Sequence, residues 1–482
     1  MFLLRSQSQV PTDSGSPGAD GLPQPARFRA LVVIIVGLFL AVLDVTIVNL
    51  ALPDISRQLN RTAAQSIWLI NAYQIATLAL LLPLATLGDI IGYRRVYLVG
   101  MAVFTAGSLA CASADSLTTL ALARMVQGAG AAGLMSVNAA LVRLIYPRAL
   151  LGRGIATNSM VVAIASVTGP SIAAAVLSSA SWPWLFAINV PLGLLCLLLG
   201  RRALPDNAAR PATAPEPHFS LFDVVLNALM FGLIFLGIDA LGVRPEPVPG
   251  AAVPTSLWRP VAILAGGVVV GLVYVKRQLK EPLPLFPLDL LRIPVFALSM
   301  GTSIGAFCAQ TLAYVGLPFL LLDGFGRSHV QAGLLLTAWP LGIVAMAPVA
   351  GRLIGRFSGG ALGSAGLSLL AVGLLTLALL PEQPSNFNIV WRLALCGMGF
   401  GLFQSPNNHT ILTSVPAHRS GGASGMLGTA RLTGQTTGAV LLAVIFSTLN
   451  AHSRSGPVVA LFVASGFAIV AGVFSALRVS RH

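Results

Sequence analysis

The chain has 482 residues, of which 56% are hydrophobic and 9% are charged, and its mean hydropathy is +0.85. Soluble domains carry about 25% charged residues, so this composition excludes a soluble globular protein and predicts an all-α protein that crosses a membrane many times. The net charge of +14 comes from short basic clusters between apolar runs, which is the pattern of a polytopic membrane protein and not of a nucleic-acid-binding surface.

Apolar segments alternate with short polar segments along most of the chain. Residues 1–29 are polar and rich in Ser, Pro and Gly, and they predict a disordered cytoplasmic tail. The apolar segments that follow have the length of membrane-spanning helices, which need about 20 residues. We predict fourteen spans, at residues 30–50, 68–87, 95–113, 119–143, 153–178, 184–200, 221–242, 258–275, 295–320, 330–350, 361–381, 388–411, 420–448 and 457–478.

The distribution of Lys and Arg predicts the orientation of these spans. If the N-terminus is cytoplasmic, twenty of the 29 Lys and Arg residues fall in cytoplasmic segments, six in external loops and three within spans. Cytoplasmic loops of membrane proteins carry such an excess of positive charge. We therefore expect both termini to be cytoplasmic. The predominance of Arg over Lys, with abundant Ala and Gly, favours a bacterial protein and hence the inner membrane.

An internal repeat is offset by eight spans. The pattern Arg124 to Gly128 in the fourth span recurs as Arg392 to Gly397 in the twelfth, and glycine-bearing basic loops follow both the second span and the tenth. Parallel halves of this kind are a transporter architecture with the binding site between them. We predict an N-terminal six-helix bundle, a linker with two inserted helices, and a C-terminal six-helix bundle, at residues 30–200, 201–294 and 295–482.

Asp44 lies inside the first apolar segment. A carboxylate within the bilayer costs at least about 2 kcal/mol, so such residues face a polar interior and are usually functional. We predict that Asp44 binds and releases a proton or a cation. The alternative is a carboxylate held in a structural hydrogen-bond network.

Arg124 places a guanidinium inside the fourth span. Because Arg stays charged, its burial requires a partner, and Asp44 or a carbonyl near Gly128 is the candidate. A guanidinium beside Asp44 would favour the ionised carboxylate, and separation of the two would favour proton uptake. The pair therefore predicts a way to couple protons to a conformational change, with a purely structural arginine as the alternative.

Residues 88–95 form a short charged loop on the predicted cytoplasmic face. Gly92 permits a tight turn between two spans, and Arg94 and Arg95 anchor the loop at that face. We predict that Asp89 caps the positive end of the thirteenth span, near Ser420, when the cytoplasmic side is closed. Asp89 would then be a conformational latch between the halves; the alternative is a determinant of topology.

Two further sets of residues are candidates for the site. Gly169 and Pro170 stand among small residues in the fifth span and predict a bend and a close helix–helix seam. Polar and aromatic residues within spans would together suit a pocket for bulky amphipathic ligands, although for each of them a helix-to-helix hydrogen bond is the alternative. The candidates are Asn49, Trp68, Tyr73, Gln127, Trp339, Gln404, Asn407, Arg431 and Gln435.

From about residue 30 to residue 480 the chain resembles the drug:proton antiporters of the major facilitator superfamily, in their fourteen-span branch. The resemblance rests on residues 43–53 with Asp44, the Asp89 loop, Arg124 with Gln127-Gly128, Gly169-Pro170, and the segments 184–193 and 404–408. It implies the major facilitator fold, with Asp44 as the proton-coupling acid, Arg124 as its partner and Asp89 as the latch. Gly169 and Pro170 would belong to a motif typical of exporters, although Ala165, Ala173 and Ala174 stand where glycines are usual.

The resemblance implies an exporter that exchanges protons for an amphipathic compound and uses no cofactor or metal beyond the proton gradient. A dedicated exporter of one metabolite or antibiotic, or an importer, is the alternative. A polytopic membrane enzyme is a third possibility, but the sequence shows no acid–base or metal cluster for it. The expected partners are an amphipathic small molecule, protons and the lipid bilayer, and the chain is expected to act as a monomer.

Overall fold

The computed structural model describes residues 21–147, 150–206, 220–242, 258–281, 286–416, 419–449 and 451–479. The long elements of these residues are α-helices, which confirms the all-α fold predicted from composition. The first helix begins at Ala26, four residues before the predicted span. Residues 1–20 of the predicted tail (1–29) and residues 207–219, 243–257 and 282–285 of the predicted linker (201–294) lie outside the described residues.

The N-terminal half is built from eight helices. They are α1 Ala26–Gln58, α2 Ala63–Ser66, α3 Trp68–Ile91, α4 Tyr93–Ala112, α5 Leu117–Ile145, α6 Leu151–Ser179, α7 Pro183–Ala187 and α8 Asn189–Ala203. The inserted helices are α9 Leu221–Gly242 and α10 Trp258–Gln278. The C-terminal half contains α11 Pro294–Phe319, α12 His329–Leu336, α13 Ala338–Leu353, α14 Gly359–Ala378, α15 Asn386–Thr413, α16 Ser420–Thr448 and α17 Ser455–Ala476.

Twelve helical segments of the described residues are long and apolar enough to cross a membrane. They correspond to twelve of the fourteen predicted spans, and the other two are α15 and α16. These helices have 28 and 29 residues, which exceeds the length that a bilayer requires, but polar residues such as Asn407 and Arg431 lower their hydropathy. Twelve candidate spans are therefore identified by length and hydropathy, and the count of fourteen stays a prediction.

The second span of each half repeats the same local structure. Thr62 begins α2 with a capping box to Gln65, and Ser328 begins α12 with a capping box to Gln331. Such a box satisfies the free N–H groups of a helix start. In both halves one residue then separates the short helix from a longer one, α3 or α13. The offset of eight spans seen in the sequence is thus also present in the structure.

Two glycines of the repeat hold corresponding helices close together. A Cβ at Gly128 in α5 would overlap the backbone of Tyr73 in α3, and a Cβ at Gly397 in α15 would overlap the backbone of Trp339 in α13. A side chain at either glycine would force the helices apart. The repeat therefore places Tyr73 and Trp339 at equivalent helix crossings of the two halves.

The halves meet along two seams. In one, α6 packs on α12, where Gly333 lies against the carbonyl of Pro170. In the other, α3 packs on α16, where Gly428 lies against Leu81. Small residues at both seams allow the close approach that drives helix association in membranes. A site shared by both halves would lie between these seams, where α1 also contacts α11.

The inserted helices pair with each other, and α9 lies along the α3–α16 seam. Asn227 of α9 donates a hydrogen bond from Nδ2 to the carbonyl of Ala79 in α3, at 2.7 Å. Large apolar side chains on α10 are exposed: Val261, Val268, Val269 and Leu272. This outer face suits contact with lipid.

Candidate functional site

Asp44 lies in the middle of α1 and is completely buried. Its Oδ2 forms an ion pair with Arg124 of α5. Its Oδ1 accepts hydrogen bonds from Gln127 Nε2 at 2.7 Å and from Asn189 Nδ2 at 2.9 Å. Three donors from two other helices thus surround the carboxylate. Of these donors, the sequence predicted Arg124 as a partner of Asp44.

Arg124 is equally well enclosed. Besides Asp44 it contacts Gln127 Oε1 at 2.6 Å through Nη1 and the carbonyl of Leu69 at 3.2 Å through Nε. Its guanidinium lies over the ring of Tyr73, 4.2 Å from the ring centre. The ring face attracts a cation. Arg124 therefore joins the carboxylate of α1 to the aromatic side chain of α3.

Gln127 extends the network to α4. Its Nε2 also donates to Ser108 Oγ at 2.8 Å, and Cys111 Sγ lies 3.6 Å from its Oε1. Sequence reasoning did not select Ser108 or Asn189 for the site. Asn189 offered a signal, because it is a polar residue in the segment 184–193 that carries part of the resemblance. Ser108 offered none, since serines are common in such helices.

The donors around Asp44 suit a carboxylate and a guanidinium that together form a neutral pair. Breaking such a buried pair by removing one partner costs about 3–5 kcal/mol, because the remaining charge stays uncompensated. A proton on Asp44 would remove the charge that holds Arg124. Protonation would therefore loosen contacts to α3 and α8, which makes the site responsive to protons in chemical terms.

The nine proposed substrate-binding residues fall into different surroundings. Gln127 belongs to the Asp44 network. Asn407 is bound within its own half, where it donates to Ser303 Oγ at 2.8 Å and accepts from Arg478 at 2.7 Å. Four of the nine have a buried polar atom without a hydrogen-bond partner among the described residues: Asn49 Oδ1, Tyr73 Oη, Trp339 Nε1 and Arg431 Nε. Trp68, Gln404 and Gln435 are partly exposed.

The proposed latch is placed at an exposed position. Asp89 accepts a hydrogen bond from Tyr93 Oη, four residues further along. Arg94 binds Asp206 at 3.1 Å, so it links the loop to the segment after α8 within the same half. Arg95 is exposed. The side chain of Ser420 lies outside the described residues, so the contact that we predicted there stays a prediction.

Gly169 and Pro170 lie at the α6–α12 seam. α6 continues as one helix through Pro170. Gly169 faces Thr46 of α1, where a Cβ would overlap the hydroxyl group. One residue further, Ser171 Oγ lies 3.1 Å from Thr337 Oγ1 in the C-terminal half. This segment of α6 therefore contacts α1 in its own half and the end of α12 in the other half. The sequence alone did not show which helices these residues would meet.

A second polar cluster, which the sequence did not predict, joins the halves at the end where α1 terminates. We call Asp54, Arg57, Asp323, His329 and His452 the end cluster. Asp54 contacts Arg57 at 2.6 Å and His329 at 2.6 Å. Asp323 contacts Arg57 at 2.7 Å and His452 at 2.7 Å. The cluster brings together four separate segments of the chain, which explains why no local motif revealed it.

Comparisons with known proteins give a consistent family assignment. The family description Major Facilitator Superfamily matches residues 34–439. An uncharacterized transporter, YebQ of Escherichia coli K12, is 53% identical over 463 residues, which cover 96% of this chain and 98% of YebQ. The multidrug resistance protein Stp of Mycobacterium tuberculosis is 30% identical over 427 residues, 86% of this chain and 76% of Stp. The riboflavin transporter RibZ of Clostridioides difficile is 29% identical over 411 residues, 84% of this chain and 85% of RibZ.

A solved structure shares the fold. It is a bacterial homolog to the human lysosomal transporter Spinster, in an inward-facing and unoccupied conformation. The TM-score is 0.63 with 15% sequence identity, and the match covers 95% of this chain and 97% of that chain. At this identity the similarity concerns the fold alone.

Proposed function

We propose that this chain, which belongs to the Major Facilitator Superfamily, is a proton-coupled exporter of amphipathic small molecules. The observation that carries the proposal is the buried pair of Asp44 and Arg124 inside membrane-spanning helices. A charge pair at this depth is costly to bury, so a functional role is favoured over a structural one. The network around the pair connects α1, α4, α5 and α8, and through Arg124 it also contacts Tyr73 of α3.

The transport cycle follows from the chemistry of the pair. With Asp44 ionised and paired with Arg124, the site is ready to bind substrate from the cytoplasm. After the change to the outward-facing state, a proton from outside neutralises Asp44 and frees Arg124, which disturbs Tyr73 and favours release of the substrate. Return to the inward-facing state lets the proton leave to the cytoplasm. Rocking of the two halves around the site provides the alternating access.

The end cluster supports this cycle by providing a gate. From the excess of Lys and Arg we infer that the end where α1 terminates is external. At this end Arg57 contacts Asp323 of the other half, and His329 contacts Asp54. Together with the α6–α12 seam, these contacts favour an external side that is closed in the observed state. They would break when the external side opens.

A second candidate function is the transport of one metabolite. The names of the relatives favour different substrates, since Stp is named for multidrug resistance and RibZ for riboflavin transport. Both functions require alternating access, and they differ in the number of compounds that share the site. Competition between unrelated compounds for transport would favour the multidrug exporter.

The proposal is tested in inverted membrane vesicles with an imposed pH gradient, acidic inside. A panel of fluorescent amphiphiles, cationic, neutral and anionic, is offered to wild type, Asp44→Asn and Asp115→Asn. Asp115 is an exposed carboxylate between α4 and α5, so its variant is a matched control. We expect gradient-dependent uptake of at least one compound by wild type and the control, and at most about a tenth of this rate for Asp44→Asn. Equal gradient-dependent uptake by all three proteins would refute the role of Asp44.

A further inference from the structure

Arg431 lies within the membrane at the interface of the two halves. It is flanked on α16 by Gly428, which packs on Leu81 of α3, and by Gly434, which packs on the carbonyl of Ile304 in α11. Leu81 and Ile304 belong to α3 and α11, two of the helices that are long and apolar enough to cross a membrane. Arg431 therefore has the depth of a mid-span residue and stands at the α3–α16 seam, next to the space between the halves.

Arg431 has no counter-charge in the part of the chain that the structure describes. Its Nε is buried without a hydrogen-bond partner. Among the described residues, its guanidinium is electrostatically coupled to the phenol of Tyr73 in the other half, and no carboxylate contributes. Tyr73 Oη is likewise buried without a partner. Two unsatisfied polar groups, one from each half, are thus near each other.

Among the described side chains, the acids of the C-terminal half and Asp44 lie elsewhere or are already paired. Between residues 295 and 482 the acidic residues are Asp323, which is bound in the end cluster, and Glu382, which lies in the loop before α15. In the other half, Asp44 is already paired with Arg124. The side chain of Asp239, a residue within α9, lies outside the described residues.

An uncompensated guanidinium at this depth is expensive, and Arg does not lose its proton to avoid the cost. An anion that enters the space between the halves would supply the missing charge. The planar guanidinium favours a carboxylate, which it can hold by two parallel hydrogen bonds. Because Asp44 and Arg124 form a neutral pair, they add little net repulsion to such an anion.

We propose that Arg431 binds the carboxylate of the transported compound, so that the substrates are amphipathic carboxylic acids and not lipophilic cations. Tyr73 Oη donates a further hydrogen bond to the same anion. Gln435, one helical turn from Arg431 on α16, faces the same side and contacts the uncharged part of the substrate. This inference rests on the proposed transport function, because it takes the space between the halves as the substrate site, but it does not depend on the role of Asp44.

The test compares two probes that differ mainly in charge, dansyl-leucine and its uncharged amide, dansyl-leucinamide. Binding to the purified full-length protein in detergent is followed by dansyl fluorescence, and transport is followed in inverted vesicles. The variants are Arg431→Gln, Arg431→Lys and, as a matched control, Arg259→Gln, which removes an exposed arginine at the beginning of α10. Size-exclusion chromatography shows that each variant is folded.

We expect wild type and Arg259→Gln to bind the carboxylate at least about tenfold more tightly than the amide. Arg431→Gln should lose this preference by weakening carboxylate binding about tenfold while amide binding changes less than about twofold. Arg431→Lys keeps the charge without the planar fork, and it should lie between wild type and Arg431→Gln.

Two outcomes would overturn the inference: no preference of wild type for the carboxylate, or equal weakening of both probes by Arg431→Gln. Transport of lipophilic cations alone by wild type would also overturn it while leaving the proposed function intact. Conversely, carboxylate binding that depends on Arg431 without any gradient-driven transport would support this site and contradict the proposed function. The two proposals therefore fail in different ways.

Discussion

Arg124 and Arg431 are both guanidinium groups inside the membrane, but the two halves treat them differently. Arg124 contacts a carboxylate, an amide oxygen, a backbone carbonyl and an aromatic ring. Arg431 has a buried Nε without a partner, and its electrostatic neighbour is Tyr73. Tyr73 lies beside both arginines. The same side chain therefore neighbours Arg124, which is paired with a carboxylate, and Arg431, which is not.

The difference indicates different roles. A fully paired charge can respond to protons, because protonation of its partner changes the local balance. An unpaired charge can respond to a ligand, because the ligand supplies what the protein lacks. Arg478 shows a third arrangement, since its Nη1 donates to Ser299 Oγ and to Asn407 Oδ1, both at 2.7 Å, while its Nε is buried without a hydrogen-bond partner. Arg124 and Arg478 thus donate to side-chain oxygen atoms, whereas no such bond is found for Arg431 among the described residues.

The largest effect is expected from breaking the paired region. Arg124→Gln leaves Asp44 as a buried carboxylate without its counter-charge, so the free energy of unfolding should fall by about 3–5 kcal/mol. Thermal unfolding in detergent, followed by size-exclusion chromatography, measures this loss. The double variant Asp44→Asn/Arg124→Gln should recover much of the stability without recovering transport. A double variant that is no more stable than Arg124→Gln would contradict the pairing.

The end cluster offers a test of gating, as distinct from charge pairing within one half. Asp323→Asn weakens contacts to Arg57 and His452, which lie on different segments. The free energy that favours the closed external side over the open one should fall by about 1–2 kcal/mol. A Ser171→Cys reporter at the α6–α12 seam is labelled with a membrane-impermeant thiol reagent from outside. We expect labelling to become several times faster with Asp323→Asn and to stay unchanged with Asp115→Asn. Unchanged labelling in both would show that the cluster does not hold the gate.

Asn189→Ala sharpens the account of how Asp44 is held. The change removes one of three donors to the carboxylate and should cost about 1 kcal/mol of stability. Because this hydrogen bond favours the ionised form, its loss favours the protonated form. The pH profile of transport should therefore shift to higher pH. A shift to lower pH, or none, would mean that Asn189 does not stabilise the charged carboxylate.

The smallest effect on stability is expected for Arg431→Met. Since Arg431 has no counter-charge to leave behind, its removal should leave the melting temperature unchanged or slightly higher. The same unfolding assay as for Arg124→Gln gives the comparison directly. A loss as large as that of Arg124→Gln would mean that Arg431 has a partner in the folded protein.

Several features were predictable from the sequence because they depend only on residue spacing and on the free-energy cost of placing polar groups in lipid. Apolar segments of bilayer length must be helices, since backbone groups need internal hydrogen bonds in lipid. A carboxylate and a guanidinium in two such segments each require a partner, so Asp44 and Arg124 could be paired before the structure was known. Gly128 and Gly397 stand four and five residues after Arg124 and Arg392, in spans that are eight spans apart. This recurrence indicated two related halves.

Other features depended on which helix faces meet, and this is decided by tertiary packing. Ser108 and Asn189 reach Asp44 because α4 and α8 pack around α1 and α5. The end cluster joins residues that are hundreds of positions apart. Asp89 contacts Tyr93 in the observed state, although the sequence also allowed a contact with the other half. The sequence by itself determined the depth of each charge in the membrane; only the tertiary structure decided its neighbours, because depth depends on position along a helix and neighbours depend on rotation and packing.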